Sequence, residues 1–310
     1  MSIQSDRGLL QAYEFLKTGD PARAKPLLED ALADDLENGE ILFTVRCVNY
    51  WTDRIADLAT MDTPFERGES LILHWKQFIT IVGKDSPAYE RSMYAVRKGI
   101  FSLALENYQA LCNEHNPSQK AEIFRKTGLC YKKLGEYETA LSYLGEANTL
   151  VSGSPLVLAE MADCYALCGQ DRNAKVLFRE AFFIDAQKID IQFLDSELIN
   201  CLIESVSQKG FSGAVMQEWI PVYGVLYGVF NIKRELRAQE VGRLKQAIYA
   251  LENELKDASS EPDIVIPRLI NHYFWLIDHY VTVNAERAGI NETLLKIKLL
   301  DIDVYDKYTM

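Results

Sequence analysis

The sequence predicts an all-α chain, most of it a stack of helical hairpins forming an α-solenoid, with extra helices after the stack. Three observations predict this. Small and large residues recur at fixed offsets with a 34-residue step. Elsewhere, apolar residues return every three or four positions. No series of alternating strands is present. The 310 residues are 48% hydrophobic, which supplies a large core and argues against global disorder.

The step is clearest in mid-chain. Gly135 is followed by Tyr137, Ala140, Leu144 and Ala147; Gly169 is followed at the same offsets by Asp171, Ala174, Phe178 and Ala181. Gly128 and Ala162 precede these anchors by seven residues, Tyr131 and Tyr165 by four. Around Gly19, Ala12 and Phe15 come before and Pro21, Ala24, Leu28 and Ala31 after. Gly99 is followed by Phe101, Ala104 and Tyr108, with Leu111 in place of the last alanine. The units run over 5–38, 85–118, 121–154 and 155–188. Helical spacing puts Phe124, Gly128 and Tyr131 on one face, with Ala140, Leu144 and Ala147 on the facing helix. Small residues allow close approach, and large ones fill the space beside it. This pattern resembles the tetratricopeptide repeat family, whose unit is a 34-residue helix–turn–helix. The resemblance implies a right-handed superhelix with a concave groove.

The remaining elements follow in order. Gly135 and Gly169 end first helices, where a left-handed conformation is common. Asp20-Pro21, Ser86-Pro87 and Ser154-Pro155 each place a capping side chain before a proline at the first helical position. Thr63 to Glu66 reads as a capping box. Residues 39–84 form a degenerate hairpin, with helices over 40–51 and 64–82 and a long connection at 52–62. This completes a repeat array over 1–190. An atypical helical region over 191–310 caps or extends it. It contains helices over 193–208, ending at Gly210, and over 212–230, where Gly224 and Gly228 permit a close helix contact. A long amphipathic helix spans 232–258. Its seam of Val241, Leu244, Ile248, Leu251 and Leu255 packs either within the chain or against a second copy. Two more helices lie near 264–284 and 291–308, the second capped by Asn291. Trp219, Tyr223, Tyr227 and Phe230 read as a core stripe, with a partner surface as the alternative.

Net charge is −12. That argues against nucleic acid and anionic membrane surfaces, which select clustered Lys and Arg. The longest apolar stretch, 219–230, is too short to span a bilayer, and the N-terminus lacks a basic segment followed by an apolar one, so a cytoplasmic protein is expected. Cys47, Cys112, Cys130, Cys164, Cys168 and Cys201 form no CxxC pair and read as reduced, buried, small hydrophobes.

Chemistry is sparse. Cys164 and Cys168 share a helical face, but Cys164 aligns with Cys130 between repeats, which indicates packing. His272 and His279 share a face without a third group, and read as core-edge histidines. Asp301, Asp303 and Asp306 lack the glycine and glutamate of a calcium loop, so 301–306 reads as a solvated tail. No P-loop, GxGxxG, GxSxG or HExxH occurs. No metal, cofactor or catalytic residue is expected.

The resemblance implies that the first helix of each unit lines the groove. Carried over by alignment, the candidates are Tyr13 and Lys17; Tyr89, Met93 and Arg97; Glu122, Arg125, Leu129, Lys132 and Lys133; and Ala159, Asp163, Ala166 and Leu167. Arg97, Arg125, Lys132 and Lys133 make a basic spot suited to an acidic side chain or terminal carboxylate. Leu129 stands where a chaperone-tail clamp of this family needs asparagine, so that clamp is incomplete. The expectation is a non-enzymatic scaffold, a monomer or weak homo-oligomer, that binds a peptide segment or partner helix. The alternatives are a ligand-sensing regulator and an enzyme with its site in the C-terminal helices.

Overall fold

Proline, asparagine, aspartate and threonine punctuate the chain where helices begin, and the computed structural model, which describes residues 3–83, 89–284 and 287–310, places helix starts there. Fifteen α-helices and no strand occur among the described residues. By internal contacts the chain divides into two compact units, Met1–Ser152 and Gly153–Met310. This line falls between the third and fourth hairpin-like units.

The first unit contains α1 (Ile3–Lys17), α2 (Pro21–Asp34), α3 (Gly39–Asp57), α4 (Pro64–Val82), α5 (Glu90–Gln109), α6 (Pro117–Leu134) and α7 (Tyr137–Leu150). Helices adjacent in sequence pack on one another, and α5 also packs on α1 and α3. Gly135 has φ of 89°, the left-handed turn the sequence indicates, and Gly19 turns the chain in the same way at φ 74°. A Cβ on Gly128 would lie 2.7 Å from Leu144 Cγ, so the glycine sets the spacing between α6 and α7. Asp20 accepts from the Arg23 N–H, and Thr63 and Glu66 form the reciprocal capping box. The core gathers aromatics: the Trp51 and Trp75 rings stack at 6.4 Å, and Phe101 stands edge-on to Trp75 at 5.2 Å.

Two expectations fail in this unit. Residues 85–118 do not form a hairpin, because α5 runs unbroken through Gly99. Ser92, Ala95, Val96, Ile100, Ala104 and Tyr108 make a continuous buried stripe on both sides of that glycine. A Cβ on Gly99 would sit 2.0 Å from the Leu16 carbonyl oxygen, so the residue is small to admit the end of α1. The Ser86-Pro87 cap lies outside the described residues. Residues 52–57 are helical rather than a connection, since α3 continues to Asp57.

The second unit contains α8 (Pro155–Leu167), α9 (Asp171–Asp185), α10 (Glu197–Ser207), α11 (Gly213–Leu226), α12 (Ala238–Glu254), α13 (Pro262–Thr282), α14 (Arg287–Leu300) and α15 (Ile302–Thr309). The α8/α9 hairpin turns at Gly169, with φ of 73°. Ser154 occupies the cap position, but its side chain makes no cap hydrogen bond. One core joins α8 and α9 to the later helices, with Phe178, Phe182, Ile220, Phe230, Leu269 and Phe274 buried together. Leu244, Ile248 and Leu251 are buried in it as well, with Val241 and Leu255 against its edge. The seam of α12 is therefore consumed within the chain. Trp219, Tyr223 and Phe230 are core, while Tyr227 is exposed.

Other boundaries move for identifiable reasons. Residues 231–237 are not helical. There the Arg234 guanidinium bonds Glu180 and Glu240, and the Arg237 N–H donates to Glu240 Oε2, fixing the start of α12. Gly224 approaches the Phe230 ring rather than another helix, and Gly228 turns the chain at φ 71°. Asn291 lies inside α14 and is not a cap. Asp301 accepts from the Val304 N–H and starts a separate α15, so 301–306 is a capped helix rather than a solvated tail.

Candidate partner-binding groove

Residues three and four apart share a helix face, so Leu10, Tyr13, Glu14 and Lys17 form one strip along α1. Glu90, Arg91 and Tyr94 form a second along α5. Between them lies a cavity of about 330 Å³ lined by these seven residues. Its floor is fixed. Tyr13 is buried, its hydroxyl donates to Glu40 Oε1 at 2.7 Å, and it lies 2.9 Å from Ser92 Oγ. Ser92 Oγ in turn lies 2.8 Å from Thr44 Oγ1. This network ties α1, α3 and α5 together. Burial, with the Glu40 carboxylate adding to it, pushes the Tyr13 phenol above its ordinary pKa, so it stays a neutral donor.

The rim is different. Leu10 is 49% and Tyr94 46% exposed, which leaves two large apolar side chains facing solvent beside the cavity. The Arg91 guanidinium is 5.7 Å from the Tyr13 ring centre, and that of Arg97 is 5.9 Å from the Tyr94 ring. Neither forms an ion pair with any described residue, whereas Lys17 pairs with Glu14 at 2.7 Å. An apolar notch flanked by two available guanidiniums can hold an apolar side chain and a carboxylate at once.

Of the candidates carried over by alignment, Tyr13 and Lys17 line this groove, and Arg97 lies beside it. Tyr89 stands at the N-cap position of α5 without a side-chain cap bond and packs its ring 5.5 Å from Phe43, and Met93 is half-buried. The α6 group does not present an open face. Arg125 Nε bonds Glu122 Oε2 at 2.8 Å, and Leu129, Lys132 and Lys133 are buried. Burial alone would raise the Glu122 pKa, but Arg125 and Lys126 outweigh it and hold the carboxyl below its ordinary value. Asp163 is fully buried, and its two oxygens accept from the backbone N–H groups of Asp195 and Ser196, each at 2.8 Å. It caps the approach to α10. Ala159 is buried, and Ala166 and Leu167 are half-buried.

Sequence reading missed Leu10, Arg91 and Tyr94. Aligning the repeat on Gly99 placed the α5 face one position away, on 89, 93 and 97. The usable signal was an aromatic residue three positions from an arginine on each side: Arg91, Tyr94, Arg97.

Elsewhere, His272 Nδ1 is 2.8 Å from the Arg268 carbonyl oxygen, and burial lowers the imidazole pKa to about 4. Cys47, Cys130 and Cys164 are buried, but Cys112 and Cys168 are half-buried and Cys201 is exposed on α10, and none of the six is in a disulfide. No cluster of three or more His, Cys, Asp or Glu suited to a metal occurs among the described residues. No helix among them is long and apolar enough to cross a membrane. No protein-family model matches the chain, and no curated protein matches it.

Proposed function

We propose that this chain is a non-enzymatic interaction module of tetratricopeptide type whose α1/α5 groove binds an acidic peptide segment through one apolar anchor side chain. The single observation that carries the reading is the rim: half-exposed Leu10 and Tyr94 beside a built cavity, with Arg91 and Arg97 free of ion pairs among the described residues. The hairpins α1/α2, α6/α7 and α8/α9, each turned by a left-handed glycine, support the repeat assignment. In this reading the hairpins continue as a right-handed superhelix, the protein acts as a monomer because the α12 seam is already packed, and reduced thiols suit the cytoplasm.

A labelled peptide panel tests it. Each peptide carries one Leu, Phe or Trp flanked by Asp and Glu, with Lys-flanked versions as controls. Anisotropy should show binding of the acidic peptides only. Arg91→Glu should weaken it by about tenfold, or ~1.4 kcal/mol, with the circular dichroism unchanged. Equal binding of the Lys-flanked peptides, or an Arg91→Glu protein that binds like wild type, would refute the proposal.

A further inference from the structure

We propose that residues 231–237 form a salt-releasable latch over the Trp275 ring, one that opens locally while the helices beneath it stay folded. The proposal does not rest on the α1/α5 reading, and either can fail alone.

This segment joins α11 to α12 without helix or strand, so no ladder of backbone hydrogen bonds holds it. Its attachments are mostly charged. The Arg234 guanidinium bonds both carboxylate oxygens of Glu180 on α9 at 2.8 Å, and those of Glu240 on α12 at 2.9 and 3.0 Å. Lys233 Nζ lies 2.5 Å from Asp278 Oδ1 on α13. The Ile232 carbonyl oxygen accepts from Arg179 Nη1 at 3.1 Å. Leu236 is the buried apolar anchor. The side chains of Lys233, Arg234, Glu180 and Glu240 are 46, 32, 21 and 33% exposed, so salt reaches these pairs. Its screening length shortens from about 10 Å at 0.1 M to about 3 Å at 1 M.

Trp275 lies under the latch. Its ring stacks on Phe183 at 4.3 Å, and the Arg179 and Arg234 guanidiniums lie 4.7 and 5.6 Å from its centre. The closed arrangement leaves Trp275 Nε1 and Arg179 Nε buried without a hydrogen-bond partner. Interiors rarely leave such donors unpaired, because their desolvation is then uncompensated. Opening admits water to them. The charges left behind do not oppose it. Arg179 and Asp278, both buried, bond each other from α9 and α13, so release of Lys233 strands neither. Glu180, Glu240 and the latch's own cations are already part-exposed and pass into water. Local opening therefore needs less free energy than unfolding of the unit.

The test follows the tryptophan indole N–H groups of the nitrogen-15-labelled full chain by NMR hydrogen exchange. The Trp275 signal is assigned by its loss in Trp275→Phe. Trp51 Nε1, equally buried and unpaired but in the first unit, is the control. Between about 0.1 M and about 1 M KCl the Trp275 indole should exchange about tenfold faster, with Trp51 and the α13 backbone amides unchanged. Arg234→Gln should give about that acceleration at low salt and lose most of the further salt response. Lys233→Gln, at a half-exposed side chain, should accelerate it about threefold. Equal salt responses at Trp275 and Trp51, α13 amides that quicken together with the Trp275 indole, or wild-type exchange in both variants would overturn the proposal.

Discussion

Gly99 and Gly135 stand at equivalent places in the repeat alignment and are glycine for different reasons. Gly135 supplies a left-handed turn; Gly99 supplies room for the Leu16 carbonyl. Gly135→Ala should cost ~1 kcal/mol through φ alone. Gly99→Ala should cost more, ~2–3 kcal/mol, because backbone must move. Gly145, in α7, has nothing within 4 Å of its Cβ position, and its change to Ala should stabilise by ~0.5–1 kcal/mol. Urea denaturation of the three variants checks the order. His272 gives a pH signature. Its folded pKa of about 4 lies below the ordinary 6.5, so the unfolded chain binds more protons between these values. The stability it contributes is complete above pH 6.5 and lost as pH falls towards 4, at most ~3 kcal/mol. His272→Gln should flatten the acid limb of the stability profile in that window; an unchanged limb would count against the burial of the ring.

Among the elements, those with caps and turn glycines were legible. Pro21, Thr63-Pro64, Pro155 and Gly169 put α2, α4, α8 and α9 within a few residues of their sequence positions. What failed was set by contacts distant in sequence. Gly99 looks like a turn until α1 is laid across it, and residues 231–237 look helical until Glu180 and Glu240 claim Arg234. Asp163 shows the same effect at a site: aligned, it reads as a groove residue; in space, it holds two backbone N–H groups ahead of α10. Asp163→Ala should cost ~1–3 kcal/mol, whereas Ser154→Ala, at a cap position without a side-chain bond, should be near neutral. Thermal melts of the two variants separate these outcomes, and equal losses would contradict the assignment of Asp163 as a cap.

For the whole molecule, the all-α class followed from period and punctuation. The groove followed only in part, because facing residues on α1 and α5 are some 80 positions apart and the α5 register depends on one glycine. Burial of Leu244, Ile248 and Leu251 in the second unit also bears on assembly. Light scattering should give a monomer mass across concentrations. The central claim is that Arg91, Tyr94 and Arg97 mark a peptide-binding surface. The most direct measurement replaces Tyr94 with a photo-crosslinking benzoylphenylalanine and sequences the captured segment, with the same substitution at exposed Tyr249 on α12 as control. The account predicts capture at position 94 of one recurring acidic segment bearing an apolar residue, and no such segment at 249. The same proteins captured at both positions, or a segment without acidic character at 94, would contradict it.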